Sequence, residues 1–215
     1  MNKNTELENT DYEMRDTRYE NGFTLVELLV ALVVTGIVLA AVATLAFAMG
    51  TANDVADDSS QKQAQVRYAT LRISELIRHC KLICGTPGGD VAVWRADDNG
   101  DGQININELV YIERGTGRDY LRLCEFPSSD TSLVNLSDIE TLSAGDYSVT
   151  YVLLVPQCGN VEFSFDVAPP NSRFVSISID ILENDIVHQY QISAALRGWA
   201  GNLLDGSGNI VSDDD

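Results

Sequence analysis

A chain of 215 residues with 14 Lys and Arg against 32 Asp and Glu carries a formal charge of −18 and has a pI near 4.2. A surface of that sign repels phosphate backbones and anionic lipid heads, which argues against nucleic-acid binding and suits solubility, cations or a basic partner. Only two histidines are present, His79 and His188; neither stands in a nucleophile motif and no Gly-rich loop precedes a helix to hold phosphate, so nothing supports an enzyme.

In chain order, residues 1–22 hold Lys3, Arg15 and Arg18 against Glu6, Glu8, Asp11, Glu13, Asp16 and Glu20. Gly22-Phe23-Thr24-Leu25-Val26-Glu27 then opens an apolar run, and no charge occurs from Leu28 to Met49. A helix over those residues rises roughly 33 Å at about 1.5 Å per residue, enough for a bilayer core of about 30 Å. A secretory signal peptide, for which Ala46-Phe47-Ala48 could pass as the cleavage site, has an apolar region of only about 7 to 15 residues. A plain signal anchor explains the length but not a Glu placed just after a Gly-Phe junction. Arg15 and Arg18 favour a cytoplasmic N-terminus, because basic residues near the membrane set orientation and acids weigh little. A carboxylate in such a helix costs roughly 2.5 to 3.5 kcal/mol at the centre and less near an end, so Glu27 calls for a cationic partner.

A cut between Gly22 and Phe23 creates an α-amino group one helical turn before Glu27, at the same end of the apolar helix. The segment Gly-Phe-Thr-Leu-Val-Glu-Leu-Leu-Val resembles the cleavage and methylation segment of type IV prepilins and type II secretion pseudopilins. The resemblance implies that a prepilin peptidase cleaves after Gly22, that Phe23 becomes N-methylated, and that Glu27 neutralises the N-terminus of a neighbouring subunit. It implies a single-pass protein of the bacterial inner membrane, N-terminus cytoplasmic and globular part periplasmic or extracellular, whose partners are other pilin subunits once it enters a filament. The leader departs from the usual short, basic pattern, which bears on peptidase efficiency more than on topology. Thr44 stands where major pilins usually carry a proline, and the globular part is large. Both features point to a minor subunit most like a J-type pseudopilin or a W-type minor pilin.

After the apolar run (residues 23–50) a helical beat continues over residues 51–84. Val66, Ala69, Ile73, Leu76, Ile77, Cys80, Ile83 and Cys84 recur at three- and four-residue spacing, and one helix from Phe23 to Cys84 is allowed. Gly85-Thr86-Pro87-Gly88-Gly89 ends it. Residues 85–200 read as strands: Val91–Trp94, Leu109–Glu113, Tyr120–Phe126, Tyr147–Val155 and Val161–Val167, then a hairpin in which Val175, Ile177, Ile179 and Ile181 alternate with polar residues. The predicted class is α+β, an antiparallel sheet with the stripe of 66–84 as its lid. Residues 201–215, rich in Gly, Asn and Asp, read as a disordered tail.

Residues 97–108 fill the EF-hand loop pattern, with Asp97, Asn99 and Asp101 at positions 1, 3 and 5 and Gly102 at the sharp turn. The carbonyl of Gln103, Asn105 and a bidentate Glu108 complete a set of hard oxygen ligands for calcium. The flanking segments read as strands, so the loop caps a hairpin, and an acidic turn without an ion is the plainer alternative. A calcium-dependent binding module displayed on a pilus is therefore the second functional reading.

Cys80, Cys84, Cys124 and Cys158 all follow the apolar run, in what this topology makes an oxidising compartment, and disulfides are expected. Cys80 and Cys84, one helical turn apart, are too distant to bridge each other, so each should seek a sheet cysteine. Buried free thiols are the alternative, and His79, Cys80 and Cys84 lack the usual zinc spacing. His79, Trp94 and Trp199 are read as ordinary helix-end or core residues.

Overall fold

Helix α1 spans Leu25–His79 in a computed structural model that describes residues 22–197, 203–204 and 210–211. The leader up to residue 21, Trp199 and nearly all of the proposed tail lie outside the described residues. The chain divides into two compact units, Met1–Thr51 and Ala52–Asp215. In the first, every described residue is exposed. No part of its most apolar 18-residue window, of mean hydropathy 2.8, is buried.

In the second unit, α1 buries Val66, Ala69, Ile73 and Ile77, a stripe at spacings of three and four residues. The helix closes with the amide of Cys80 bonded to the carbonyl of Leu76 at 2.9 Å, and the next amide, Lys81, already donates to Trp94 across a sheet at 2.9 Å. The helix therefore stops at His79 instead of reaching Cys84, and Leu82–Gly85 is strand β1. All four β1 residues are buried, Ile83 in one apolar cluster and Leu82 and Cys84 in another. A strand buries successive residues on opposite sides; a helical stripe cannot.

Strands β2 (Val91–Trp94), β3 (Leu109–Arg114), β4 (Leu121–Glu125) and β5 (Thr150–Val155) follow β1 in one antiparallel sheet of order β1-β2-β3-β4-β5. Strands β6 (Asn160–Phe165), β7 (Phe174–Glu183) and β8 (Ile186–Ala195) form a second antiparallel sheet. The β7–β8 turn is two residues long, with Asn184 and Asp185 both at positive φ (51° and 63°), the backbone that matches strand twist in tight hairpins.

Both sheets share one core with the helix: Ile73 and Ile77 join Ile83, Val93, Ile112, Leu123, Val161, Val175, Ile177 and Ile179. The sequence assigned the helix as lid, and it is. A second cover was not foreseen: on the opposite face of the five-stranded sheet, Leu82, Trp94, Tyr111, Cys124 and Phe126 pack with Ile104, Ile106 and Ile139 from the connecting loops. Alternation along β3 explains it, since Leu109 and Tyr111 point to one cluster and Val110 and Ile112 to the other. The architecture is α+β, a long N-terminal helix followed by antiparallel sheets.

Candidate functional site

The junction Gly22-Phe23-Thr24 precedes the first helical residue, Leu25. Thr24 and Glu27 close a reciprocal cap. The Thr24 hydroxyl oxygen accepts from the Glu27 amide at 3.2 Å, while the Thr24 amide and hydroxyl each donate to Glu27 Oε2 at 3.0 Å. Thr-x-x-Glu before an apolar run is the sequence form of such a capping box, which satisfies N–H groups that have no carbonyl one turn back. The sequence reading named Glu27 but not Thr24, although the capping spacing was there to be read. Phe23 is 86% exposed, and a Cβ built on Gly22 meets nothing within 4 Å. The fold therefore imposes no glycine at 22, and any such requirement comes from outside the chain.

The rest of the apolar segment is prepared for a medium without water. Thr35 Oγ1 donates to the Ala31 carbonyl at 2.7 Å, Thr44 Oγ1 to Ala41 at 2.9 Å and Thr51 Oγ1 to Ala48 at 3.0 Å. Each hydroxyl is satisfied by its own helix, as lipid or a packed apolar neighbour demands.

In the loop 97–108, Gly100 and Gly102 take the positive φ values (72° and 69°) that its turns need. The Asp97 carboxylate gathers the amides of Gly100 (2.8 Å), Asp101 (3.2 Å) and Gly102 (3.0 Å) and meets Lys81 Nζ at 3.3 Å. Burial works against ionisation of Asp97, yet the Gly102 amide and Lys81 outweigh it and hold the carboxyl below its usual range. Asp101 accepts from the Gln103 amide and from the side-chain amides of Asn99 and Asn105, which hold its carboxyl low as well.

Glu108 turns inward. It is 1% exposed, and its oxygens accept from Trp94 Nε1 at 3.0 Å, the Asp98 amide at 2.8 Å and the Asn105 amide at 3.2 Å. Its carboxylate thus ties the loop to strand β2, a tie that treating Trp94 as an ordinary core residue missed. Among the described residues no group of three or more His, Cys, Asp and Glu side chains is placed to hold a metal. The chemistry of the six donors suits calcium, but Glu108 as arranged is already hydrogen-bonded.

The four cysteines, expected in disulfides, are free and buried. Cys84 and Cys124 face the same apolar cluster from β1 and β4, with β2 and β3 between them. Three strand spacings of about 4.8 Å separate their backbones by roughly 14 Å, twice what a disulfide spans. Cys80 and Cys158 border the other cluster. Burial pushes the thiols of Cys80 and Cys124 up to about 12 and that of Cys158 up to about 11, so none is a ready nucleophile. His79 Nδ1 lies 2.9 Å from the Glu75 carbonyl, a helix-end contact.

Comparison with protein families finds one match: a model described as the prokaryotic N-terminal methylation motif covers residues 17–43. No curated protein and no solved structure matches the chain. The matched segment contains the Gly22-Phe23 junction, the Thr24–Glu27 cap and the first half of the apolar helix. By that segment, and with a long N-terminal helix leading into antiparallel sheets, the chain belongs to the type IV pilin and pseudopilin family.

Proposed function

We propose that the protein is a minor structural subunit of a type II secretion pseudopilus or a type IV pilus, of the J-type or W-type kind, and acts by assembly. The observation that carries this reading is the methylation motif laid over an apolar helix that its own chain leaves uncovered. A prepilin peptidase cuts after Gly22, Phe23 is N-methylated, and the helix waits in the inner membrane with the globular part outside the cytoplasm. On assembly, the apolar surface passes from lipid to sister helices. Glu27 gives up its bonds to Thr24 and pairs with the new α-amine of a neighbour, because an unpaired charge in that core is severely penalised. Mass spectrometry of the N-terminus of membrane-extracted protein tests this. A chain beginning at methylated Phe23 is expected, and one still carrying residues 1–22, or cut after Ala48, refutes it.

A second reading, a calcium-dependent binding module displayed on a pilus, is favoured by the amide-gathering geometry of Asp97. A cavity of about 840 Å³ beside the loop, lined in part by Asp101, Gln103, Asn135 and Glu140, adds to it. Asp97, Asn99, Asp101, the Gln103 carbonyl and Asn105 would hold the ion, which would stiffen the loop, and Glu108 would join only by releasing Trp94. Calorimetry of the whole chain in detergent decides it: heat at millimolar calcium that disappears with Asp97→Ala is expected, and no heat ends the reading.

A further inference from the structure

The exposed face of α1 within the second unit is segregated by charge. No Lys or Arg occurs from Phe23 to Gln61, whereas Asp54, Asp57 and Asp58 do. Asp58 is answered one turn later by Lys62 at 2.6 Å; Asp54 and Asp57 stand exposed without an ion pair. Further along, Arg67, Arg72 and Arg78 are exposed, and among the described residues none of them pairs with a carboxylate. Between them Leu71 is 71% exposed and Tyr68 is 45% exposed. At 100° per residue Arg67, Leu71 and Arg78 fall within about 40° of one another, with Asp57, Tyr68, Asp54 and Arg72 farther round the same outward half. The buried stripe Val66, Ala69, Ile73 and Ile77 occupies the opposite side.

Three unpaired arginines around an exposed leucine are out of character in a chain of charge −18. They make a surface for an acidic partner, and the acidic counterpart stands on the same helix. Side by side, parallel and in register, two copies would set Asp against Asp and Arg against Arg, which is repulsive. A slide along the axis removes the conflict. Thirteen residues separate Asp54 from Arg67 and fifteen separate Asp57 from Arg72, so one displacement of about 14 residues, roughly 21 Å, satisfies both.

We propose that this face docks a second copy of the chain in parallel, staggered by about 14 residues, so that Asp54 and Asp57 of one copy meet Arg67 and Arg72 of the next. Leu71 and Tyr68 fill the contact, and Arg78 borders it. The contact is heterologous: each copy offers an acidic stretch to one neighbour and a basic stretch to the other, which propagates instead of closing. This inference rests on the assembly reading above, which makes neighbouring helices parallel.

The test is site-specific cross-linking in cells that assemble the whole chain from two differently tagged copies. Gln61→Cys in one copy and Glu75→Cys in the other sit 14 residues apart. Both are exposed, and the chain's own thiols are buried. A short bis-maleimide should join 61 to 75 and leave the 61–61 and 75–75 pairs at least fivefold weaker. Arg67→Glu with Arg72→Glu in one copy should lower the 61–75 product roughly fivefold or more, the scale of two exposed ion pairs turned repulsive. Asp54→Lys with Asp57→Lys in the other copy should restore it, which also guards against a misfolded variant. Equal or stronger 61–61 joining, or indifference to charge reversal, overturns the stagger. The methylated N-terminus and recovery in the sheared filament fraction are read from the same cells. If both are present without the 61–75 product, only the stagger fails; if both are absent, the assembly reading fails and this contact with it.

Discussion

Residues 25–51 and the unit from residue 52 onward are both rich in apolar side chains, yet they dispose of them in opposite ways. Leu39 on the first is 63% exposed; Ile73, on the same continuous helix, is fully buried among strands of its own chain. Burying one such side chain is worth about 1.5 to 3 kcal/mol, so the uncovered helix leaves tens of kcal/mol for something outside the chain to supply. One region is a finished core and the other is half of an interface. Lipid and sister helices can both complete it, which is how one element serves as anchor and as assembly surface.

The sharpest way to break this contrast is at Glu27. Glu27→Ala should leave insertion of the apolar helix intact, or slightly easier, while incorporation into filaments falls by an order of magnitude or more. Fractionation of membranes and sheared filaments measures both, and normal incorporation would refute the pairing role. Next comes a matched pair of truncations. Ile73→Ala should destabilise the second unit by about 2 to 5 kcal/mol, whereas Leu39→Ala should change its unfolding by less than about 0.5 kcal/mol. Denaturant titration of the whole chain in detergent compares them, and equal effects would mean that the two regions are not energetically distinct.

Glu108 gives a smaller effect of a different kind. Glu108→Gln weakens the bonds from Trp94 and the two amides and should lower stability by about 1 to 3 kcal/mol in chelator as well as in calcium. A loss seen only with calcium would make Glu108 a ligand instead of a brace. The smallest effect concerns Asp90, whose carboxyl is pushed up from 3.8 to about 6, chiefly by burial, with Glu113 adding and the Arg114 amide opposing. The native state holds this proton more tightly than the unfolded chain, so the contribution is present below about pH 4 and is lost as pH rises to 6. Asp90→Asn should therefore gain on the native protein between pH 4 and 7. Because Asp90 is partly open to water, about 1 kcal/mol is expected, well below the full linkage value. Thermal melts at the two pH values read it, and a constant difference would contradict the shift.

Much of this was legible because the signals are local. The Gly22-to-Glu27 spacing, the uncharged run to Met49, the stripe Val66 to Ile77 and the alternation of β7 each depend on neighbours within a few residues. Strand β2 was placed residue for residue, and β3 within one. The loop 97–108 was read correctly as a turn between strands, but its Glu108 was assigned outward, toward an ion. Only the folding of β2 beside the loop puts an indole N–H within reach of that carboxylate. Cys84 was placed on a helix because Leu82-Ile83-Cys84 is an apolar triplet too short for periodicity to separate helix from strand. The pairing of Lys81 with Trp94 decided it, along with the free state of all four thiols.

By itself, then, the sequence determined the family, the processing junction, the apolar helix and the α+β class, because each rests on spacing along a single element. Tertiary structure alone decided that the strands split into two sheets, that the larger sheet is covered on both faces, and that Glu108 braces an interior. Those outcomes depend on which distant residues meet, and no local period encodes that.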